Sequence, residues 1–105
     1  KNSKGPDFDA LKAEHRRLAI LRTLLGDSTA TASMTLLRDW LPRLGLRAST
    51  DVVRADLRML ASIGLIALND EHDAWGVELT QRGAEVAEGV VVADGVLKPP
   101  LDCPY

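Results

Sequence analysis

One helical stretch, residues 49–66, constrains the fold more than any other part of the chain. Ser49 or Thr50 can cap its start, because a hydroxyl oxygen accepts a backbone N–H that has no partner in the first turn. Gly64 can end it, since glycine enters the left-handed conformation at little steric cost. The apolar residues between them follow the spacing of a buried stripe: Val53, Leu57, Leu60 and Ala61. The pattern predicts a helix over Thr50–Ser62.

The same helix has a second apolar line and a narrow polar side. The second line consists of Val52, Met59 and Ile63, which predicts that the helix is covered on two sides. The polar side consists of Asp51, Arg54, Ala55, Arg58 and Ser62. We expect this polar edge to be the part of the helix that faces outward.

A first helix is predicted from Asp9 or Ala10 to Leu25, where Gly26 ends it. Its main apolar stripe is Leu11, Leu18, Leu21 and Leu25, and a second strip is Ala13, Ile20 and Leu24. The remaining side, expected to be polar, carries Lys12, His15, Arg16 and Arg22. Two apolar strips on one helix predict either deep burial or a dimer contact.

A second helix is predicted to open at Ser33 or Thr35, after a Ser/Thr/Ala-rich connection over residues 27–32. It must kink or end near Leu41, because Pro42 lacks an N–H and its ring presses on the carbonyl four residues back. Trp40 is expected in the core, since apolar neighbours lie within one turn. Residues 45–48 supply the turn into the helix over Thr50–Ser62.

After Gly64 the pattern predicts a hairpin, with strands over 65–68 and 74–79 and a turn over 69–73. Thr80 caps a last helix over 81–88, which Gly89 ends. Residues 90–92 either extend that helix or form a strand. The predicted fold class is therefore mainly α with a small β-hairpin (α+β). We expect three regions: a disordered or non-native leader (1–8), the domain (9–89) and a C-terminal extension (90–105).

The run from Val53 to Ile66 and the segment VELTQRGAEVAEG, residues 77–89, together resemble winged helix-turn-helix proteins of the ArsR and MarR type. The resemblance covers roughly residues 10–89 and implies a winged helix-turn-helix fold. The segments HRRLAILRTL and DGVLKPP also make the chain similar to small winged-helix proteins of Mu-like phages. These motifs are short and widely shared, so they indicate fold better than function.

Composition limits the classes of function. The 105 residues are 46% hydrophobic and 27% charged, which is ordinary for one globular domain. No apolar run is long enough to cross a membrane, and the single cysteine, Cys103, cannot make an internal disulfide. We therefore expect a cytoplasmic protein without a membrane partner.

Charge is unevenly distributed along the chain. Residues 1–60 hold 11 Lys and Arg against 7 Asp and Glu, whereas residues 61–105 hold 2 against 8. A basic front and an acidic back would orient the molecule in the field of a polyanion. Two solvated charged faces without a partner are the simpler alternative.

An enzyme is not expected, because no catalytic constellation, phosphate loop or cofactor motif is visible, and no small-molecule substrate is evident. The cluster over residues 70–73 (Asp, Glu, His, Asp) is interpreted as a solvated turn rather than a metal site. We predict no cofactor and no bound metal.

The polar edge of the helix over Thr50–Ser62 predicts contact with double-stranded DNA, since such a helix fits the major groove. The predicted DNA-binding residues are Arg47, Thr50, Asp51, Arg54, Ala55 and Arg58, with backbone contacts from Arg38 and Arg43. Arginine's forked donors match either guanine or phosphate. The alternative for Arg54 and Arg58 is plain surface solubility.

Acidic residues argue against this prediction. Asp51 and Asp56 place carboxylates on the helix that should approach phosphates, and the hairpin tip carries Asp70, Glu71 and Asp73 without a Lys or Arg. The hypothesis from sequence is a transcriptional regulator that acts as a homodimer, with the first helix and the segment after Gly89 in the dimer contact. The alternative is a winged-helix module that binds protein, in a phage or chromosome-associated assembly, and does not bind DNA.

Overall fold

A computed structural model describes residues 4–71 and 75–105 of the chain, with the backbone alone for residues 4–7. Four α-helices and three short strands are present in these ranges. Their bounds, in chain order, are α1 Lys4–Gly26, β1 Thr31–Ser33, α2 Met34–Trp40, a 3₁₀ turn Leu41–Leu44, α3 Thr50–Ser62, β2 Ile66–Asn69, β3 Gly76–Leu79 and α4 Gln81–Ala87. The predicted class, mainly α with a small sheet, is confirmed.

Side-chain caps begin three of the helices. The hydroxyl oxygens of Ser33, Ser49 and Thr80 accept the N–H groups of Leu36, Val52 and Gly83, at 3.1, 3.2 and 3.0 Å. Each bond satisfies a donor that the helix itself leaves unpaired. The predicted bounds of α3 are confirmed, and Gly64 follows it with a φ of 81°.

The sheet has one strand more than the sequence predicted. The strand β3 pairs antiparallel with both β2 and β1, which gives the order β1-β3-β2. Residues 31 and 32 were predicted as part of a connection, and that prediction is wrong. The strand is three residues long, and its partner β3 lies more than 40 positions later, so no local pattern marks it.

The core lies where α1, α3 and the sheet meet. Leu18, Leu21 and Leu24 of α1 pack with Leu57 and Leu60 of α3, and all five are fully buried. Helix α1 begins at Lys4, five residues before the predicted start, so residues 4–8 of the expected disordered leader are helical. Residues 1–3 lie outside the described part of the chain.

Several predictions about burial in the helices are wrong. Leu11, expected in the main apolar stripe of α1, and Val52 and Ile63, expected in the second apolar line of α3, are exposed. Arg16, expected on the polar side of α1, is buried, because it pairs with Asp56 of α3. Trp40, expected in the core, has a side chain 40% exposed, because α2 directs Leu37 and Leu41 inward instead. The Trp40 indole N–H donates to the hydroxyl of Thr23 on α1 at 3.1 Å.

The C-terminal extension packs against its own domain. Val96 is buried in the core, and the N–H of Leu97 donates to the carbonyl of Glu14 on α1 at 3.2 Å. The Tyr105 hydroxyl lies 2.7 Å from Nδ1 of His15. Residues 90–92 neither extend α4 nor form a strand. The extension therefore covers α1 within one chain.

Candidate functional site

Five arginines follow one another from α2 to α3, and all belong to the predicted site. Three of them, Arg38, Arg43 and Arg47, line one open groove, and we call them the groove arginines. The other two, Arg54 and Arg58, stack on one tryptophan, and we call them the stacked arginines. Thr50 lies between the two groups, because its hydroxyl accepts a hydrogen bond from Arg38 and it lies one turn before Arg54 on the same helix.

The groove lies beside the start of α3 and has a volume of about 540 Å³. Its walls are formed by the groove arginines with Asp39, Pro42 and Ala48. Arg38 donates to the hydroxyl of Thr50 at 3.3 Å, and its Nε lies 3.8 Å from a carboxylate oxygen of Asp39. Three guanidinium groups against one carboxylate leave this concave surface positive.

The stacked arginines lie over the ring of Trp75, the residue directly before β3. The guanidinium carbon is 5.4 Å from the ring centre for Arg54 and 4.9 Å for Arg58. Arg58 is exposed, whereas Arg54 is half-buried, and its Nε is buried without a hydrogen-bond partner in the described residues. The expectation of a free outward edge therefore holds for Arg58 but not for Arg54.

Trp75 is a residue that the sequence reasoning missed. It is 5% exposed, and its carbonyl accepts the N–H of Met34, which connects β3 to the start of α2. The signal available in the sequence was a tryptophan on the return strand of a hairpin that follows two arginines spaced by four residues. Such a strand can bring its aromatic side chain onto the preceding helix.

The prediction that Asp56 faces the outside of α3 is wrong. Its carboxylate is 1% exposed and accepts hydrogen bonds from the side chains of Arg16 and Arg17. Burial and pairing remove one of the two negative charges expected to oppose phosphates. The described residues from Arg38 to Arg58 then include five arginines and two exposed carboxylates, those of Asp39 and Asp51, so positive charge is in excess.

The other predicted site residues on α3 occupy the expected side. Asp51 and Ala55 are exposed, and Thr50 is half-buried. Because the Thr50 oxygen accepts a hydrogen bond from Arg38, its hydroxyl proton is still available for donation. This outer edge of α3, with the groove arginines beside it, can present donors to an anion.

Comparison with known proteins shows similarity to a phage protein. The chain is 40% identical over 86 residues to a protein of Escherichia phage Mu named "Uncharacterized protein gp26", and the match covers 82% of this chain and 88% of the relative. The chain belongs to the family of this phage Mu protein. The predicted resemblance to proteins of Mu-like phages is confirmed to that extent. No family model and no solved structure matches the chain.

The tip of the hairpin is acidic in this member of the family, as far as the structure describes it. Asp70 and Glu71 are exposed, while His72 and Asp73 of the predicted acidic turn lie outside the described residues. Within the described ranges, no group of three His, Cys, Asp or Glu side chains could hold a metal ion. None of the helices described is long and apolar enough to span a membrane.

Proposed function

We propose that this protein is a winged-helix protein that binds duplex DNA through α3 and acts as a transcriptional regulator. The order of elements supports the fold: helix, strand, two helices joined by a turn, and a hairpin directly after the third helix. In this architecture the second helix of the helix-turn-helix enters the major groove. That helix is α3 in this chain.

The observation that carries the proposal is the charge on the exposed edge of α3. Five arginines lie along it and beside its start, while Asp56, which would have opposed them, is buried and paired. A helix of 13 residues is roughly 20 Å long, and a helix of this kind fits into the major groove of DNA. Phosphates attract such a surface without sequence preference, and base contacts then add selectivity.

The acidic hairpin tip determines how such a complex would be oriented. Asp70 and Glu71 would be repelled by the phosphate backbone, and a DNA-contacting hairpin tip needs the opposite charge. We therefore place the tip away from the duplex. In this arrangement the groove arginines, rather than the hairpin tip, contact the DNA backbone beside the start of α3.

A homodimer remains part of the proposal, because two copies related by a two-fold axis would place two α3 helices in successive turns of the groove. The C-terminal extension is already packed on α1 of its own chain. The dimer contact on these two elements is thereby restricted to their exposed apolar side chains: Phe8, Leu11, Val90, Val92 and Leu101.

Binding to random-sequence duplex over a salt series tests the function. We expect binding at ~50 mM salt that weakens steeply as salt rises, because condensed counterions are released on association. Selection of bound duplexes from a random pool, with the mass of the complex measured in solution, then gives the site and the stoichiometry. A wild-type protein that binds no duplex at low salt would exclude the proposal.

A second candidate is a module that binds protein, and the surface of α2 favours it. Leu36 is 61% exposed and Trp40 is 40% exposed, and they lie one turn apart on the same side of the helix. Exposed aromatic and aliphatic side chains in one place are typical of protein contacts. Failure of duplex binding would favour this candidate, and Leu36→Ser with Trp40→Ser should then abolish the protein contact.

A further inference from the structure

The stacked arginines are a pair of like charges on the same side of α3. Their positive charges lie one turn apart, a spacing at which like charges repel. Neither makes an ion pair with any residue in the described ranges. The ring of Trp75 holds both, since the face of an indole attracts cations.

A cation–π contact uses none of the N–H groups of a guanidinium in a hydrogen bond, so those donors remain for other partners. For Arg54 this leaves an unsatisfied donor, because its buried Nε has no acceptor within the described chain. Buried donors are rarely left without a partner, so such a group requires an explanation. The Nε itself is covered by the protein, so a ligand can reach only the other N–H groups of Arg54 and those of the exposed Arg58.

The geometry points to a two-arginine site for a phosphate-class oxyanion, formed by Arg54 and Arg58 and held in place by Trp75. A tetrahedral oxyanion offers acceptors to two forked donors at once, and arginine is the side chain best suited to bind it in that manner. Where the phosphate belongs to a duplex backbone, this inference rests on the proposed function. Free phosphate groups share the same chemistry.

The inference assigns the stacked arginines to the DNA backbone rather than to bases. A side chain that reads a base edge must extend into the groove, whereas Arg54 is half-buried and lies against the hairpin. Trp75 is accordingly a positioning residue, which acts on the anion only through the two guanidinium groups. Base selectivity would then come from other side chains of α3.

Intrinsic fluorescence offers a test that is independent of DNA. Trp40→Phe leaves Trp75 as the single tryptophan of the chain, because the sequence contains two. In the full-length variant, inorganic phosphate should change the Trp75 emission saturably, relative to chloride at the same ionic strength. The double variant Arg54→Lys with Arg58→Lys keeps both charges but lacks the planar forks, and should lose this response. Arg82→Lys on α4 is the matched control and should retain it.

Binding to duplex DNA provides a second test of the phosphate site. Arg54→Ala with Arg58→Ala should weaken binding by a similar factor across unrelated sequences and lower the salt slope by about 0.9, because the two arginines together hold one phosphate and one lost phosphate contact removes about that much. Trp75→Phe keeps a weaker aromatic face and should reduce affinity several-fold in the wild-type background. In the background of the two lysines it should add nothing further, a coupling that a purely structural role would not produce.

The outcomes separate the two proposals. Duplex binding with an unchanged salt slope in the alanine variant, or a loss confined to particular sequences, would overturn the phosphate site and leave DNA binding in place. A saturable phosphate response without any duplex binding would support the site and refute the proposed function. Absence of both responses in the folded protein would refute both.

Discussion

Asp56 in the middle of α3 lies 3.0 Å from the Nε of Arg17 on α1, and the same carboxylate also accepts from Arg16. These two contacts connect helices that are about 40 residues apart in the chain. Arg17 extends the network, because it also donates to the carbonyl of Gly95 at 3.0 Å. The orientation of α3, and therefore of its arginine-bearing edge, depends on one buried carboxylate.

The first prediction is that Asp56→Asn lowers the free energy of unfolding by about 3–5 kcal/mol, since it leaves buried guanidinium groups without a counter-charge. Urea denaturation measures this loss. Asp51→Asn is the control, because Asp51 lies on the same helix but is exposed, and it should change stability by less than about 0.5 kcal/mol. Equal effects of the two substitutions would show that the buried network does not stabilise the fold.

The second prediction concerns the groove arginines. Arg43→Ala and Arg47→Ala should each lower the slope of duplex affinity against salt by about 0.9, because each removes one phosphate contact. Neither is expected to change the unfolding midpoint, since both side chains are exposed. Arg82→Ala, an exposed arginine of α4, should leave the slope unchanged. A slope that stays constant in all three variants would place the phosphates elsewhere.

The third prediction is that Gly83→Ala destabilises the protein by about 1–3 kcal/mol, the usual cost of overpacking. A Cβ at Gly83 would lie 2.0 Å from the carbonyl oxygen of Leu65 and 2.8 Å from a methyl group of Leu79, so α4 would have to move away from the hairpin. Gly26→Ala is the matched control, because a Cβ there meets nothing within 4 Å. Thermal unfolding should give a clearly lower midpoint for Gly83→Ala than for Gly26→Ala. Equal midpoints would show that α4 does not pack as described.

The fourth prediction concerns Tyr105, the single tyrosine of the chain. Burial raises its pKa above the usual value of 10.0, with a smaller contribution from the charge of Cys103. The folded state therefore favours the neutral phenol. The corresponding stability is present below pH 10 and is lost as the pH rises through the higher pKa of the folded state.

Absorbance of the phenolate during an alkaline titration measures this shift. The midpoint should lie above 10 in the native protein and near 10 in concentrated urea. Tyr105→Phe should make stability less dependent on pH in that range. Identical midpoints in the two solvents would mean that the C-terminal extension does not pack against α1 in solution.

Much of the local structure could be predicted because its signals lie within a few residues. The cap at Ser49, the apolar spacing up to Leu60 and the glycine at position 64 define α3 without reference to the rest of the chain. Thr80 marks the start of α4 in the same manner. The arginines of the candidate site were named from sequence for this reason, because they belong to α2, α3 and the segment between these helices.

Contacts between residues that are far apart in the chain could not be predicted in this way. An aspartate among helix-surface residues gives no sign that two arginines 39 and 40 positions away will bury it. Trp40, expected in the core, is 40% exposed, since exposure depends on which side of each element meets the core.

The sequence by itself determined the bounds of α3 and the start of α4, because caps, glycines and periodicity act over one or two turns. Only the tertiary structure decided which charges are buried, which arginines stack on Trp75 and where the C-terminal extension lies. Those outcomes depend on contacts between distant segments, and the free energy of such contacts exists only once the segments are packed together.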